Sequence, residues 1–183
     1  GIEAEQVTTI HNGFQWDWLQ VHQNLLATQF EKPYFLWLSR LQKYKGIDDA
    51  IQAFERFVET NDDYDLYIAG SGPDSSRIKA KVWASSNAHR VHFLGFVDDI
   101  EKFQLLKGAR ALLQTSYKEG WGLTVIEANS VGCPVIANTA PGLIDSVRDH
   151  ESGLLYQYGS ADDLAAKLRD LVNDHELYNR LSQ

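Results

Sequence analysis

Six short apolar runs, separated by amphipathic stretches, limit what this chain can fold into. They are YFLWL (34–38), LYIA (66–69), VHFL (91–94), ALLQ (111–114), PVIA (134–137) and GLLY (153–156). Continuous apolar runs of this length read as strands buried on both faces. Between them the period changes. In GIDDAIQAFERFV, residues Ile47, Ala50, Ile51, Phe54 and Val58 share one helical face. Ile100, Phe103 and Leu106 or Lys107 do so less cleanly, and Ala161, Leu164, Ala165, Leu168 and Leu171 form a clear stripe. Alternation of this kind predicts an α/β fold. A parallel sheet of about six strands lies between two helical layers, joined by right-handed crossovers.

Composition closes off several classes. The 183 residues are 44% hydrophobic, enough for one domain with a substantial core, and the net charge of −8 disfavours a general nucleic-acid binder. The single cysteine, Cys133, rules out an internal disulfide and suits a reducing, cytoplasmic setting. It reads as a small buried residue before a strand. No apolar run approaches membrane-spanning length. The chain has no methionine, so Gly1 does not read as a natural start, and a piece of something larger is expected. Residues 1–30 carry two tryptophans and no clear strand after Ile10. They read as a lead-in packing on the edge of a domain that spans 31–183.

Open parallel sheets bind ligands outside the carboxyl ends of their strands, so the segments that follow each strand matter most. Arg40 comes just after the first strand, and Lys45 and Gly46 stand where the next helix opens. The second strand is followed by GSGPDS, where Pro73 and Asp74 are placed to start a helix. The third is followed by GFVDD, the fourth by TSYKEGWGLTVIEA and the fifth by NTAPGLIDS. Any one of these is ordinary turn chemistry. Five on one rim point to a site.

Arg40, Lys45 and a helix N-terminus together suit a phosphate or diphosphate, although two solvated surface charges would look the same. Gly120 and Gly122 let a ligand approach the backbone, and the helix starting near Gly122–Thr124 adds N–H groups. Glu119 and Glu127 straddle this anion site. Carboxylates are poor phosphate partners and good acceptors for hydroxyl groups. A ligand with phosphates in the middle and hydroxyl-bearing rings at both ends is a nucleotide-sugar.

EGWGLTVIE resembles the Glu-x7-Glu motif of the retaining glycosyltransferases of family four. SRLQKYKG resembles their Gly-Arg-Leu-x3-Lys-Gly segment, with Ser39 for the usual glycine. AGSGP, FLGFVDD and IHNGF resemble three further family segments, over roughly residues 8 to 183 in order. The resemblance implies the C-terminal, donor-binding half of a two-domain GT-B enzyme, a Rossmann-like domain whose acceptor-binding N-terminal half lies outside this chain. It implies that Arg40 and Lys45 grip the donor diphosphate and stabilise the leaving group. Glu127 would take the ribose hydroxyls, and Glu119 with the backbone of Gly120, Trp121 and Gly122 would hold the sugar. The N–H groups of Thr124 and Val125, beside Leu123, would face the phosphates. Phe96 and Val97 would flank the base, and Gly70 and Gly72 would keep their turn out of the cleft. Thr124 stands for a usual aliphatic residue, so its hydroxyl adds a candidate phosphate contact. PGLIDS departs from the family pattern and leaves Asp145 without an assigned role.

The implied reaction is transfer of a hexosyl group from a UDP-sugar or GDP-mannose to a glycan or lipid-linked glycan, as in polysaccharide biosynthesis. It would retain the anomeric configuration and need no metal or other cofactor. Membrane contact would come through the other half, and this half alone would not turn over. The alternatives are a non-catalytic nucleotide-sugar sensor and a GT-B epimerase. A nicotinamide dehydrogenase half fits less well, because GSGPDS has two of the three expected glycines and follows the second strand. Asp63-Tyr64-Asp65 spells a metal-binding Asp-x-Asp, but it precedes a strand and so lies away from the rim. His89 and His92 lack a third ligand.

Overall fold

A computed structural model describes residues 30–183 together with Asp17. The lead-in and IHNGF lie outside the described residues, except for Phe30, whose ring stacks on Tyr67 at 4.1 Å. Six strands form: β1 (Tyr34–Leu38), β2 (Asp65–Ala69), β3 (Val91–Gly95), β4 (Ala111–Gln114), β5 (Val135–Asn138) and β6 (Leu154–Tyr156). They coincide with the six apolar runs to within a residue or two at each end. All neighbouring pairs are parallel, in the order β3-β2-β1-β4-β5-β6.

Strand β1 shows why its run is apolar throughout. Phe35 and Trp37 enter one core, and Tyr34, Leu36 and Leu38 enter the other. The two-residue period of a strand sends alternate side chains to opposite faces, and helices cover both. On the first face lie α1 (Ile47–Val58), α2 (Ser75–Trp83), α6 (Ala161–Asn173) and α7 (His175–Leu181). On the second lie α3 (Asp99–Gly108), α4 (Leu123–Ser130) and the short α5 (Leu143–Ser146). Every expected inward residue of α1 and α6 is buried. Helix α3 instead buries Phe103, Leu105 and Leu106, leaving Ile100 half-buried and Lys107 exposed. Its start is marked by a capping box between Asp98 and Glu101.

Cys133 is buried, and desolvation pushes its thiol up to about 12, which leaves it an inert core residue. Asp65 opens β2 at the amino edge of the sheet and pairs with His92 at 3.0 Å, so Asp63-Tyr64-Asp65 does lie away from the rim.

Strand order reverses between β1 and β4, which opens a crevice at their carboxyl ends. A polar chain crosses the base of this crevice. The buried Trp37 indole Nε1 donates to Thr115 Oγ1 at 2.9 Å, and that hydroxyl donates to the Lys45 carbonyl at 2.9 Å. Thr115 is fully buried. Replacing it by valine strands the indole N–H and the carbonyl, each a desolvated group without its partner. Thr115→Val should therefore cost about 1–3 kcal/mol of stability, with Thr115→Ser close to wild type. Urea denaturation reads both, and equal midpoints for the two variants would refute this role.

Candidate functional site

The rim is built from the turns after β1 and β4, locked together. Residues Lys43–Lys45 form a 3-10 turn that ends on Gly46, which is also the N-cap of α1 at φ +67°. A Cβ on Gly46 would lie 2.0 Å from the Thr115 carbonyl oxygen, so only glycine permits this approach. Tyr117 N–H donates to the Tyr44 carbonyl at 2.8 Å, a second tie between the same two turns. Lys45 is thus placed from below by β4 and from the side by the loop that follows it.

A cleft of about 770 Å³ opens over this rim. Four strand ends supply it: Arg40 and Lys45 after β1, Gly70 and Gly72 after β2, Phe96 and Val97 after β3, and Glu119, Trp121, Gly122, Leu123, Thr124 and Glu127 after β4. The fifth expected contributor is absent from the wall. The turn after β5 lies beneath the Glu119 loop instead. Pro141 carbonyl accepts from Glu119 N–H at 3.4 Å, and a Cβ on Gly142 would fall 2.2 Å from the Glu119 carbonyl oxygen. That segment supports the loop, and Asp145 is exposed outside the cleft.

Three readings of individual residues change. Val125 is fully buried in the core, and its N–H donates to the Gly122 carbonyl at 2.8 Å, so it is not available to a phosphate. The first turn of α4 tightens there, which uses up one of the N–H groups a helix start normally leaves open. Leu123 and Thr124 N–H groups have no backbone acceptor among the described residues. Gly120 is exposed and lies outside the cleft wall. Gly70 and Gly72 do line the cleft. A Cβ on Gly70 would sit 1.9 Å from Ser39 O, and one on Gly72 would sit 2.3 Å from Leu41 O. Their small size lets the β2 turn press against the β1 turn, which a pattern of glycines could not reveal.

Both acids are paired with lysine. Lys45 Nζ lies 2.5 Å from Glu119 Oε1, with the side chains 13% and 17% exposed. Lys102 Nζ lies 2.8 Å from Glu127 Oε1, and it was not distinguishable in the sequence from any other helical lysine. Arg40 is exposed and forms no ion pair with any described residue. Thr124 Oγ1 accepts from Gln114 Nε2 at 2.6 Å, which orients the hydroxyl while leaving its proton free to donate. Phe96 is 82% exposed at the lip. The cleft therefore offers cations, helix N–H groups and two carboxylates together. Its glycine turn follows β2 and not β1, unlike a dinucleotide fingerprint.

The family model for group 1 glycosyl transferases matches residues 23–183, and the chain belongs to that family. It is 29% identical over 170 residues to N-acetyl-alpha-D-glucosaminyl L-malate synthase of Bacillus anthracis, covering 93% of this chain and 44% of that protein. Its fold matches HepE of Anabaena, solved in complex with UDP-glucose, with a TM-score of 0.83 and 24% identity over 100% of this chain and 52% of the other. It also matches the C-terminal domain of a group 1 family protein of Francisella tularensis, with a TM-score of 0.76 and 24% identity, covering 100% of this chain and 93% of that domain. The fold is therefore one Rossmann-like half of a GT-B glycosyltransferase, of the size of the C-terminal domain. The chain spans about half the length of the relatives it matches.

A part-buried pair ties the loop after β4 to α1. Tyr117 OH donates to Asp49 Oδ1 at 2.9 Å, and Asp49 Oδ2 is buried without a partner. Desolvation raises the Asp49 pKa; the Tyr117 hydrogen bond opposes it only in part, and the nearby Asp48 charge adds to the rise. A folded-state pKa raised above the unfolded one means stability that is full while Asp49 is protonated and is lost as pH rises through the folded value. Asparagine keeps the acceptor and cannot ionise. The stability of Asp49→Asn relative to wild type should therefore improve from the ordinary aspartate range upward and then level off. Urea midpoints at pH 4 and pH 7 check this, and a pH-independent difference would contradict it.

Proposed function

We propose that this chain is the donor-binding half of a retaining glycosyltransferase, taking a nucleoside-diphosphate sugar whose hexosyl group passes to a hydroxyl acceptor on a glycan or lipid-linked glycan. The observation that carries the reading is the set of groups gathered in one cleft. Glu119, Glu127, Trp121, Arg40 and Lys45 all line it, together with Leu123 and Thr124, whose N–H groups open α4. Carboxylate acceptors, cations and helix N–H groups in one cleft complement the hydroxyls and the diphosphate of a nucleotide-sugar. Proteins similar to the chain support it: the HepE structure holds UDP-glucose, and the Bacillus anthracis relative is named for an N-acetyl-alpha-D-glucosaminyl product of L-malate.

In this reading the positive groups stabilise the departing diphosphate as negative charge develops on it. Lys45 does so while tied to Glu119, so one ion pair links the leaving group to the sugar. Glu119 acts as a positioner for sugar hydroxyls, not as a covalent nucleophile. The diphosphate is held without a divalent ion. Among the described residues no group of three His, Cys, Asp or Glu is arranged to hold a metal. Acceptor choice belongs to the other half of the protein, as does any membrane contact, and the chain alone binds donor without transferring it. The proposed setting is cytoplasmic.

The two carboxylates separate in calorimetry. Glu127→Ala should weaken both a bare nucleoside diphosphate and its sugar conjugate by about tenfold or more, the value of a hydrogen bond to a charged acceptor. Glu119→Gln should weaken only the conjugate, and it should bind the bare diphosphate at least as tightly as wild type because Lys45 is freed from its carboxylate. Chelator should leave all affinities unchanged. Equal losses from the two variants on the bare diphosphate would sink the assignment, and loss of affinity with chelator would sink the metal-free one.

A further inference from the structure

Lys102 lines the cleft and plays no part in the reading above. It projects from the first turn of α3, directly after the Phe96–Val97 turn, and reaches across to α4. Its ammonium donates to Glu127 Oε1 at 2.8 Å and to Asp99 Oδ1 at 2.9 Å. The lysine and Glu127 side chains are 17% and 18% exposed, whereas Asp99 is well exposed and only steadies the lysine. Burial works against the ammonium, but the bonds to Glu127 and Asp99 outweigh it and raise its pKa. The lysine is therefore charged, and Glu127 has a fixed counter-ion.

A glutamate reaching into an open cleft has several rotamers to lose on binding, at a cost in conformational entropy. Lys102 meets that cost in the folded protein by anchoring Oε1. A carboxylate carries about four acceptor sites over its two oxygens, so those not used by the lysine can still receive hydroxyls. Two of the three ammonium protons are already committed to carboxylates, so the lysine is engaged with Glu127 and Asp99 and not with a phosphate. Lys102 and Glu127 line the same cleft as the second such pair, Lys45 and Glu119.

Building on the donor-site reading, we infer that Lys102 is a positioning residue: it holds the Glu127 carboxylate ready for the neighbouring hydroxyls of a ribose, and so makes the site select ribonucleotides. It acts through Glu127 and not on the base or the phosphates.

The test is calorimetry on the chain with UDP, GDP and ADP, then with the tightest binder and its 2′,3′-dideoxy counterpart. Wild type should prefer the ribose form by about tenfold or more, the value of a hydroxyl bonded to a charged acceptor. Lys102→Met should weaken the ribose form about five- to tenfold and shift the dideoxy form by less than about twofold, the scale of uncoupled changes. Lys102→Arg, which keeps a charged donor, should restore most of the preference. In a Glu127→Ala background, Lys102→Met should add less than about twofold. Should the methionine variant fail to fold, as judged by circular dichroism, Lys102→Gln serves in the same comparisons with the same expected loss of preference. Equal weakening of the ribose and dideoxy forms, an unchanged preference, or an undiminished effect without Glu127 would each overturn the inference while leaving the donor site standing. If wild type binds none of the three diphosphates, the donor-site reading itself falls and this inference falls with it.

Discussion

The Thr115 hydroxyl is the contact on which the rest of the site depends. It accepts from the Trp37 indole inside the core and donates to the Lys45 carbonyl at the rim. One buried oxygen thus transmits the position of β1 to the loop that carries the cation. The arrangement works only because Gly46 leaves room for the Thr115 carbonyl and takes a left-handed conformation. A buried polar chain of this type has a steep penalty for partial satisfaction, so it holds a single geometry. That rigidity is what a site for a charged, multi-part ligand requires, because preorganised dipoles and charges stabilise without rearranging.

The two carboxylates show how charge is arranged in the cleft of a negatively charged chain. Each acid in the cleft is matched by a lysine from a different strand end: Lys45 with Glu119, and Lys102 with Glu127. Each pair fixes one carboxylate oxygen and leaves acceptor capacity on the rest of the carboxylate. Arg40 carries its charge without an acidic partner among the described residues. The net charge of −8 is therefore a property of the whole surface and a poor guide to the cleft.

The layers of the domain serve this rim unequally. The face with α1 and α6 buries the larger aromatic and aliphatic cluster and braces β1 from one side. The other face carries α3 and α4, the two helices that supply Lys102 and Glu127. On that face α4 is only eight residues long and begins at a glycine with positive φ. The turn after β5 contributes support from beneath, with Gly142 pressed against the Glu119 backbone.

The order of the strands, their burial on both faces and the inward stripes of α1 and α6 were legible in the sequence, because side-chain period and run length are local consequences of backbone geometry. So was the membership of Arg40, Lys45, Glu119 and Glu127 in one rim, since a parallel sheet sends every strand end to the same side. The partners of those residues were not legible. Lys102 lies 25 positions from Glu127, and nothing in its helix marks it out. The commitment of the Val125 N–H to Gly122, the withdrawal of the β5 turn from the cleft wall and the contact of Gly70 with Ser39 all depend on how one loop lies on another. Such contacts are set by distances of a few ångströms between segments remote in the chain. Local pattern decides which groups reach the rim, and only the packed structure decides which of them are already engaged when a ligand arrives.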